Sequence, residues 1–327
     1  MEGTVDVNGN LIYDGESLSI GKDNVPKKNL RTIFVGYTEG LKVFRARVHE
    51  LLKDIKWKDA PSGLFASKKG KEVYAVSPKS RNLSVVDTSS FRSQDIYGLD
   101  KGPSDVVLNS DESLSYVSNS LTDSIQVIDL KSREVKATFP TGSGPSKLAI
   151  TKAGESLYVS NTLDKTVSKI NAKTGREEKK AFVGESPLGL ALSVDDTELY
   201  VSDPLKNKVY VLDSNTLREK GSFSVGLAPS SLKTDPEGKK LFVSNKDSDT
   251  LSIIDLKDRK EIAAIPVGRR PQGIAVLPEG DKLYVANELS GNISFIDIAK
   301  QKVIQEIPAG TGPNQVIISS PERVVKK

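Results

Sequence analysis

The chain has 327 residues, with 47 Lys+Arg against 43 Asp+Glu for a formal charge of +4, no cysteine, and one histidine, one methionine and one tryptophan. Those counts exclude disulfides, a thiolate zinc site, a cysteine nucleophile and a histidine-rich metal centre, and any Ser-His-Asp triad would have to use His49. So small a net charge does not announce nucleic-acid binding, and no apolar run approaches the ~18 residues of a membrane span.

In chain order, residues 1–29 read as an N-terminal arm or linker remnant, carrying Asn8-Gly9, Gly15 and a charged stretch with Pro26. One strand is predicted in it, over Leu11–Tyr13. The first twenty residues lack the basic region and continuous apolar core of an export signal. Met1 as the sole methionine fits a start codon placed before a trimmed or mature fragment. Strands are then predicted over residues 32–35, 41–45 and 50–57.

From Pro61 onward the sequence repeats. Prolines stand at Pro61, Pro103, Pro145, Pro187, Pro229, Pro271 and Pro313, each 42 residues from the last. Thirteen residues after each of the first six comes an aromatic: Tyr74, Tyr116, Tyr158, Tyr200, Phe242 and Tyr284. Twenty-six residues after each comes Asp87, Asp129, Asn171, Asp213, Asp255 or Asp297. Within the unit that begins at Gly144, alternating β-rich runs over residues 148–150, 157–160, 166–170 and 178–183 are separated by turn signals such as Lys173-Thr174-Gly175. Four short antiparallel strands in roughly 40–45 residues is the pattern of a propeller blade.

Pro313 opens one more unit, which stops after its first strand at residues 315–319, and the three strands it lacks are those at residues 32–57. Pairing of the N-terminal strands with the C-terminal innermost strand closes the ring and removes two exposed sheet edges. The predicted fold is therefore an all-β, seven-bladed β-propeller over residues 30–321, with a tail at 322–327. The loop at residues 37–40 is two residues shorter than its counterparts.

The strings YVSN at 116–119 and 158–161, FVSN at 242–245 and YVAN at 284–287 resemble the YVTN β-propeller repeat, as do the V-G-x-x-P segments at 225–229 and 267–271. Asp203 replaces the Asn in one unit, residues 74–77 lose the pattern, and Lys58 stands where most units have Gly. The resemblance covers about residues 31–320. It implies secreted, periplasmic or surface-layer proteins; similar members include cell-surface modules, a periplasmic single-strand DNA binder and more distant lactonase-like enzymes. Fold follows from it more firmly than function.

The repeated residues are expected to build blades. The phased aromatic packs between blades, the Asn closing YVSN bonds loop backbone in an Asx-type turn, and the Asp at offset 26 bonds a turn of its own. His49 falls in a solvated turn on the face opposite the channel mouth, and Trp57 packs under the closure seam.

Function is sought where units differ, on the face formed by loops entering the innermost strand and loops joining the second and third strands. The candidate binding residues there are Lys79, Arg81, Lys101, Asp105, Lys147, Glu185, Arg269, Arg270, Gln272 and Gln315. Basic and acidic residues mix on this face, with a basic arc of Lys79, Arg81, Lys101, Arg269 and Arg270 near the closure. No catalytic residue, metal site or cofactor is assigned. The leading expectation is a non-catalytic, monomeric, extracytoplasmic propeller that binds a protein or a surface or matrix component. One alternative is single-stranded nucleic-acid binding at Arg269 and Arg270, with Tyr37 as the clearest stacking aromatic. The other is a lactonase or lyase whose acids, Asp105 and Glu185, face each other across the channel.

Overall fold

The computed structural model describes residues 31–319 and three short strands before them, Thr4–Val5, Leu11–Tyr13 and Glu16–Leu18. Those three pair antiparallel in their own sheet, where one strand was expected. In the sequence the first pair flanks Asn8-Gly9 and the second flanks Asp14-Gly15, both hairpin signals. The predicted tail at 322–327 lies outside the described residues.

Residues 31–319 form seven four-stranded antiparallel sheets. Blades 1 to 6 follow the phased prolines Pro61 to Pro271 in order. Blade 3 is typical: Pro145–Ile150, Ser156–Asn161, Thr166–Asn171 and Glu177–Phe182. Blade 7 joins Gln315–Ser319 to Thr32–Tyr37, Gly40–Arg45 and Leu51–Lys56, in the register Gln315↔Gly36 through Ser319↔Thr32. The hairpin Tyr37↔Gly40 has two loop residues where Asn161↔Thr166 has four.

The first strands touch from blade to blade around a central channel. The phased aromatics are all buried between blades. Tyr116 and Tyr158 also donate their hydroxyls to the carbonyls of Ala172 and Ser214 in the next blade, each at 2.9 Å. A hydrogen bond crosses every junction near the channel. Ser118, Ser160, Ser202 and Ser244 donate to the carbonyls of Ser146, Leu188, Ser230 and Gln272 at 2.6–2.8 Å. Ser62 Oγ donates to Pro103 O, Gly273 N to Asn314 O, and Asn314 Nδ2 to Pro61 O. These bonds satisfy carbonyls at the packed blade contacts that would otherwise be costly to bury.

The aspartates at offset 26 behave as expected. Asp129 accepts from the Lys131 and Ser132 amides, and Asp87 from those of Ser89 and Ser90.

The YVSN asparagines do something else. Asn161, Asn245 and Asn287 are buried, and each Nδ2 donates across the hairpin to side chains five and seven residues on: Thr166 and Ser168, Thr250 and Ser252, Asn292 and Ser294. The Asx-turn expectation holds only for Asp203, which accepts from the Leu205 and Lys206 amides. A Cβ on Gly268 would meet Asn287 Cγ at 2.7 Å, and Gly142 and Gly226 stand as close to Asn161 and Asn245. Glycine leaves room for the inward amide in these three blades, whereas blade 2 keeps Asp100 at that position opposite the buried Asn119 and blade 1 pairs Lys58 with Ser77.

His49 is not a solvated turn residue. It does sit in the turn between the third and fourth strands of blade 7, with φ +59°. Its ring, however, packs edge-on against Tyr284 and Phe295 of blade 6, with Nδ1 2.8 Å from Gln305 Oε1 and Nε2 3.2 Å from Tyr284 Oη. Burial lowers its pKa to about 4, against the opposing effect of the Gln305 hydrogen bond. The environment comes from the seam with blade 6, which the repeat alignment of blade 7 alone does not display. Trp57 does pack at the seam, beside the cluster containing Phe34, Leu41 and Ile55.

Candidate functional site

Each inner strand starts at the channel face and runs to the opposite one, and residues two and four after the phased Pro project to the same side of the strand. In a ring of inner strands that side is the channel. The space enclosed is a cavity of about 750 Å³. Its lining grades from polar to apolar. Asp105, Lys147, Gln272, Gln315, Lys246 and Glu288 stand toward the mouth, and Ala66, Val107, Val276, Pro278 and Ile318 lie deeper.

Four of the ten sequence-predicted residues therefore line the cavity: Asp105, Lys147, Gln272 and Gln315. Lys147 Nζ lies 3.4 Å from Asp105 Oδ1 and donates to Ser62 O at 3.2 Å, reaching from blade 3 to blade 1. Asp105 Oδ2 accepts the Leu148 amide at 3.0 Å. Burial pushes the Asp105 carboxyl above the ordinary carboxylate range, opposed by Lys147 and that amide. Gln272 Nε2 donates to Glu288, which also pairs with Arg270 Nε at 3.2 Å.

The other six stand outside the lining. Arg81 turns its guanidinium back onto Leu99 O at 2.7 and 3.0 Å, and Arg270 is engaged by Glu288. Lys79, Lys101 and Arg269 are exposed on the rim. Of the five residues of the basic arc, Arg81 and Arg270 are thus turned onto partners, and the other three remain exposed. Glu185 pairs with Lys165 at 2.6 Å and Lys206 at 3.7 Å. It does not face Asp105 across the channel, because the lysines of the neighbouring loops hold it on the rim. Tyr37 offers no stacking surface either: it is 2 % exposed, with its hydroxyl on Asp54 at 2.6 Å and Lys56 at 2.7 Å. The short hairpin folds it inward.

Sequence reasoning missed Lys233. It lies four residues after Pro229 on the inner strand Pro229–Thr234, where every other blade carries an apolar residue: Phe65, Val107, Ala149, Ala191, Ala275 and Ile317. That exception was readable in the repeat. The amine is open to the cavity but walled by protein around it, and this desolvation lowers its pKa. Lys246, at the mouth, is lowered first by burial and then by the positive charge of Arg270. Neither ammonium has a hydrogen-bond or ion-pair partner among the described residues. Nor, among those residues, does any cluster of three or more His, Cys, Asp or Glu form a metal site. No helix among them is long and apolar enough to cross a membrane.

The cavity is thus a polar-mouthed chamber in the channel of a seven-bladed ring, with two lysines on it that make no direct ion pair among the described residues. The sequence pattern of the family described as lactonase, seven-bladed β-propeller, matches residues 70–187 and 138–262, together more than half of the chain. The chain belongs to that family. No curated protein matches it. Among solved structures it is similar to a Bacteroides fragilis protein assigned as a 6-phosphogluconolactonase, with 16 % identity, TM-score 0.77, and coverage of 91 % of this chain and 100 % of that one. A functionally unknown protein from Desulfotomaculum acetoxidans aligns at 13 % identity and TM-score 0.76 over 88 % and 99 %. Kuenenia stuttgartiensis hydrazine synthase aligns at 17 % identity and TM-score 0.72 over 79 % and 89 %. At these identities the likeness speaks for the fold alone.

Proposed function

We propose that this propeller binds a small organic anion, a carboxylate or phosphate ester, inside its channel. The observation that carries the reading is the pair Lys233 and Lys246, two amines on one cavity that the surrounding protein desolvates and that have no direct hydrogen-bond or ion-pair partner among the described residues. An ammonium held in such surroundings gains from a ligand anion what its own chain does not provide. The volume suits a small molecule, and the apolar depth accepts its uncharged part. Titration calorimetry with 6-phosphogluconate and gluconate tests it. Binding of at least one is expected, with a loss of about tenfold or more in Lys233→Met, since charged hydrogen bonds contribute roughly 1.5–3 kcal/mol. Binding unchanged in that variant overturns the reading.

A second reading, lactone hydrolysis, is favoured by the family and by two carboxylates on the same cavity, Asp105 and Glu288. Glu288 takes a proton from water as the oxygen attacks the lactone carbonyl, and as the ring C–O bond breaks it returns that proton to the departing oxygen, giving the hydroxy acid. Lys246 steadies the developing negative charge. Hydrolysis of gluconolactone above the buffer rate, abolished in Glu288→Gln, supports this reading; a rate equal to buffer removes it. On the repeat resemblance, we place the protein outside the cytoplasm. Fractionation of the native host checks that placement.

A further inference from the structure

The apolar surface of this ring is distributed unevenly. Every large hydrophobic side chain more than half exposed among the described residues lies on the channel face or at its edge. Leu121, Leu163, Leu205 and Leu289 occupy the tips of the loops joining second and third strands in blades 2, 3, 4 and 6, with Leu121 at 74 % exposure. Blade 5 has Asp247 at that tip, and Leu227 stands beside it, its carbonyl accepting the Asp247 amide at 3.1 Å. Two aromatics complete the set. Tyr97 and Phe182, the latter 85 % exposed, end the outermost strands of blades 1 and 3, paired with Asn82 and Thr166 where the third strands leave this face. The opposite face holds only half-exposed residues such as Leu51 and Ile262. Folding gives no reason for seven such side chains to collect at one end, since scattered single hydrophobics are the norm.

Charge on the same loops is sorted as well. The acids largely turn inward to hold backbone: Asp123 accepts the Gly144 amide, Asp164 that of Ser143, Asp249 that of Arg270, and Asp203 those of Glu185, Leu205 and Lys206. The side chains of Lys58, Lys79, Lys101 and Arg269 are exposed, with no hydrogen-bond or ion-pair partner among the described residues. Outward cations and inward anions make the presented surface more positive than the residue counts suggest.

We propose that the channel face docks onto an anionic lipid bilayer. The leucine tips and the two aromatics enter the headgroup layer, and the four free cations lie over anionic headgroups. The distribution selects this occupant over a protein. Each leucine stands on its own blade with polar loop between it and the next, whereas a protein interface is built on a contiguous apolar centre. A bilayer accepts separate wedges, favours Tyr and Phe at its boundary, and draws basic residues to anionic lipid. The inference does not depend on what the cavity binds.

Flotation of the full chain with vesicles tests it. Binding is expected to vesicles of phosphatidylcholine with about 30 % phosphatidylglycerol, to weaken as salt is raised, and to be near background on phosphatidylcholine alone. The triple variant Leu121→Ser, Leu163→Ser, Leu205→Ser is expected to reduce partitioning by about a thousandfold, at roughly tenfold per buried leucine, with the melting temperature unchanged because the tips are solvated. Lys101→Glu with Arg269→Glu reduces it about tenfold or more. Ile262→Ser, on the other side of the ring, leaves it unaltered. Absence of binding to the anionic vesicles overturns the proposal, as does binding indifferent to the leucine variant. Self-association of the wild type that the leucine variant abolishes, without vesicle binding, overturns it in favour of a face between copies.

Discussion

Asn287 points its amide into blade 6, and Gly268 on the neighbouring loop leaves room for it: an added Cβ would lie 2.7 Å from both Cγ and Nδ2 of that side chain. Gly268→Ala is expected to destabilise the fold by about 1–3 kcal/mol, the usual cost of overpacking. Adding Asn287→Ser, the arrangement blade 1 has with Lys58 and Ser77, is expected to recover part of that loss, and a double-mutant cycle from urea unfolding measures it. A second residue-scale expectation concerns His49. Its folded pKa of about 4 lies below the ordinary value of 6.5 because burial disfavours the charged ring. The stability this contributes is whole above about pH 6.5 and is lost as pH falls toward 4. Unfolding free energies at pH 7 and pH 4 should differ by about 1–3 kcal/mol less in His49→Phe than in the parent, and an equal difference in both would refute the assignment. The sequence placed His49 in its turn but not in its environment, because the ring of residues around it comes from a blade more than 200 positions away. Lys233 was missed for a different reason. The sequence candidates lie in the loops and within two residues after the phased proline, whereas strand alternation sends the fourth residue to the channel side as well.

At the scale of the strand and blade, the repeat made nearly everything legible, since six units in phase average out local ambiguity. The innermost strand begins at the phased Pro itself in blades 2, 3, 5 and 6. What the period does not reveal is a hydrogen bond that needs two units at once. The serine before the YVSN asparagine shows no role within its own unit, yet Ser244 donates to Gln272 O across the junction at 2.6 Å, and its equivalents do the same at three other junctions. Ser244→Ala leaves that carbonyl without its partner in a buried contact and should cost about 1–3 kcal/mol. Ala286 occupies the equivalent site in blade 6, where the Gly273 amide bonds Asn314 O instead. In blade 1 Val76 stands at that site and Ser62 Oγ crosses the junction to Pro103 O, so the hydroxyl is dispensable where another donor crosses, and Ser244→Ala has no such substitute. Chemical unfolding of that variant, with an unchanged m-value, checks the expectation.

For the molecule as a whole, one short strand decides whether seven blades make a ring. Gln315–Ser319 contributes five paired residues to the inner edge of Thr32–Tyr37. Val316 is buried in the cluster with Ile33, Val35 and Tyr284, and Ile317 packs on the separate cluster around Phe34 and Val73, so the strand spans both seams of blade 7. Asn314 adds the bonds to Gly273 N and Pro61 O on either side. Removing residues 313–327 takes away two or three apolar side chains at roughly 1.5–3 kcal/mol each, the ladder, and both junction bonds. The total is comparable with the whole stability of an ordinary domain, about 5–15 kcal/mol. It also bares a strand edge and the apolar walls of two neighbouring blades, the arrangement that invites edge-to-edge pairing. The truncated chain is expected to elute as soluble aggregates, to lose its cooperative melt, and to regain part of the monomer when a peptide of residues 313–327 is added during refolding. A truncated chain that stays monomeric and melts as sharply as the parent would mean that blade 7 holds its place through the third and fourth strands alone, and that closure by the C-terminal strand is not what keeps the ring shut.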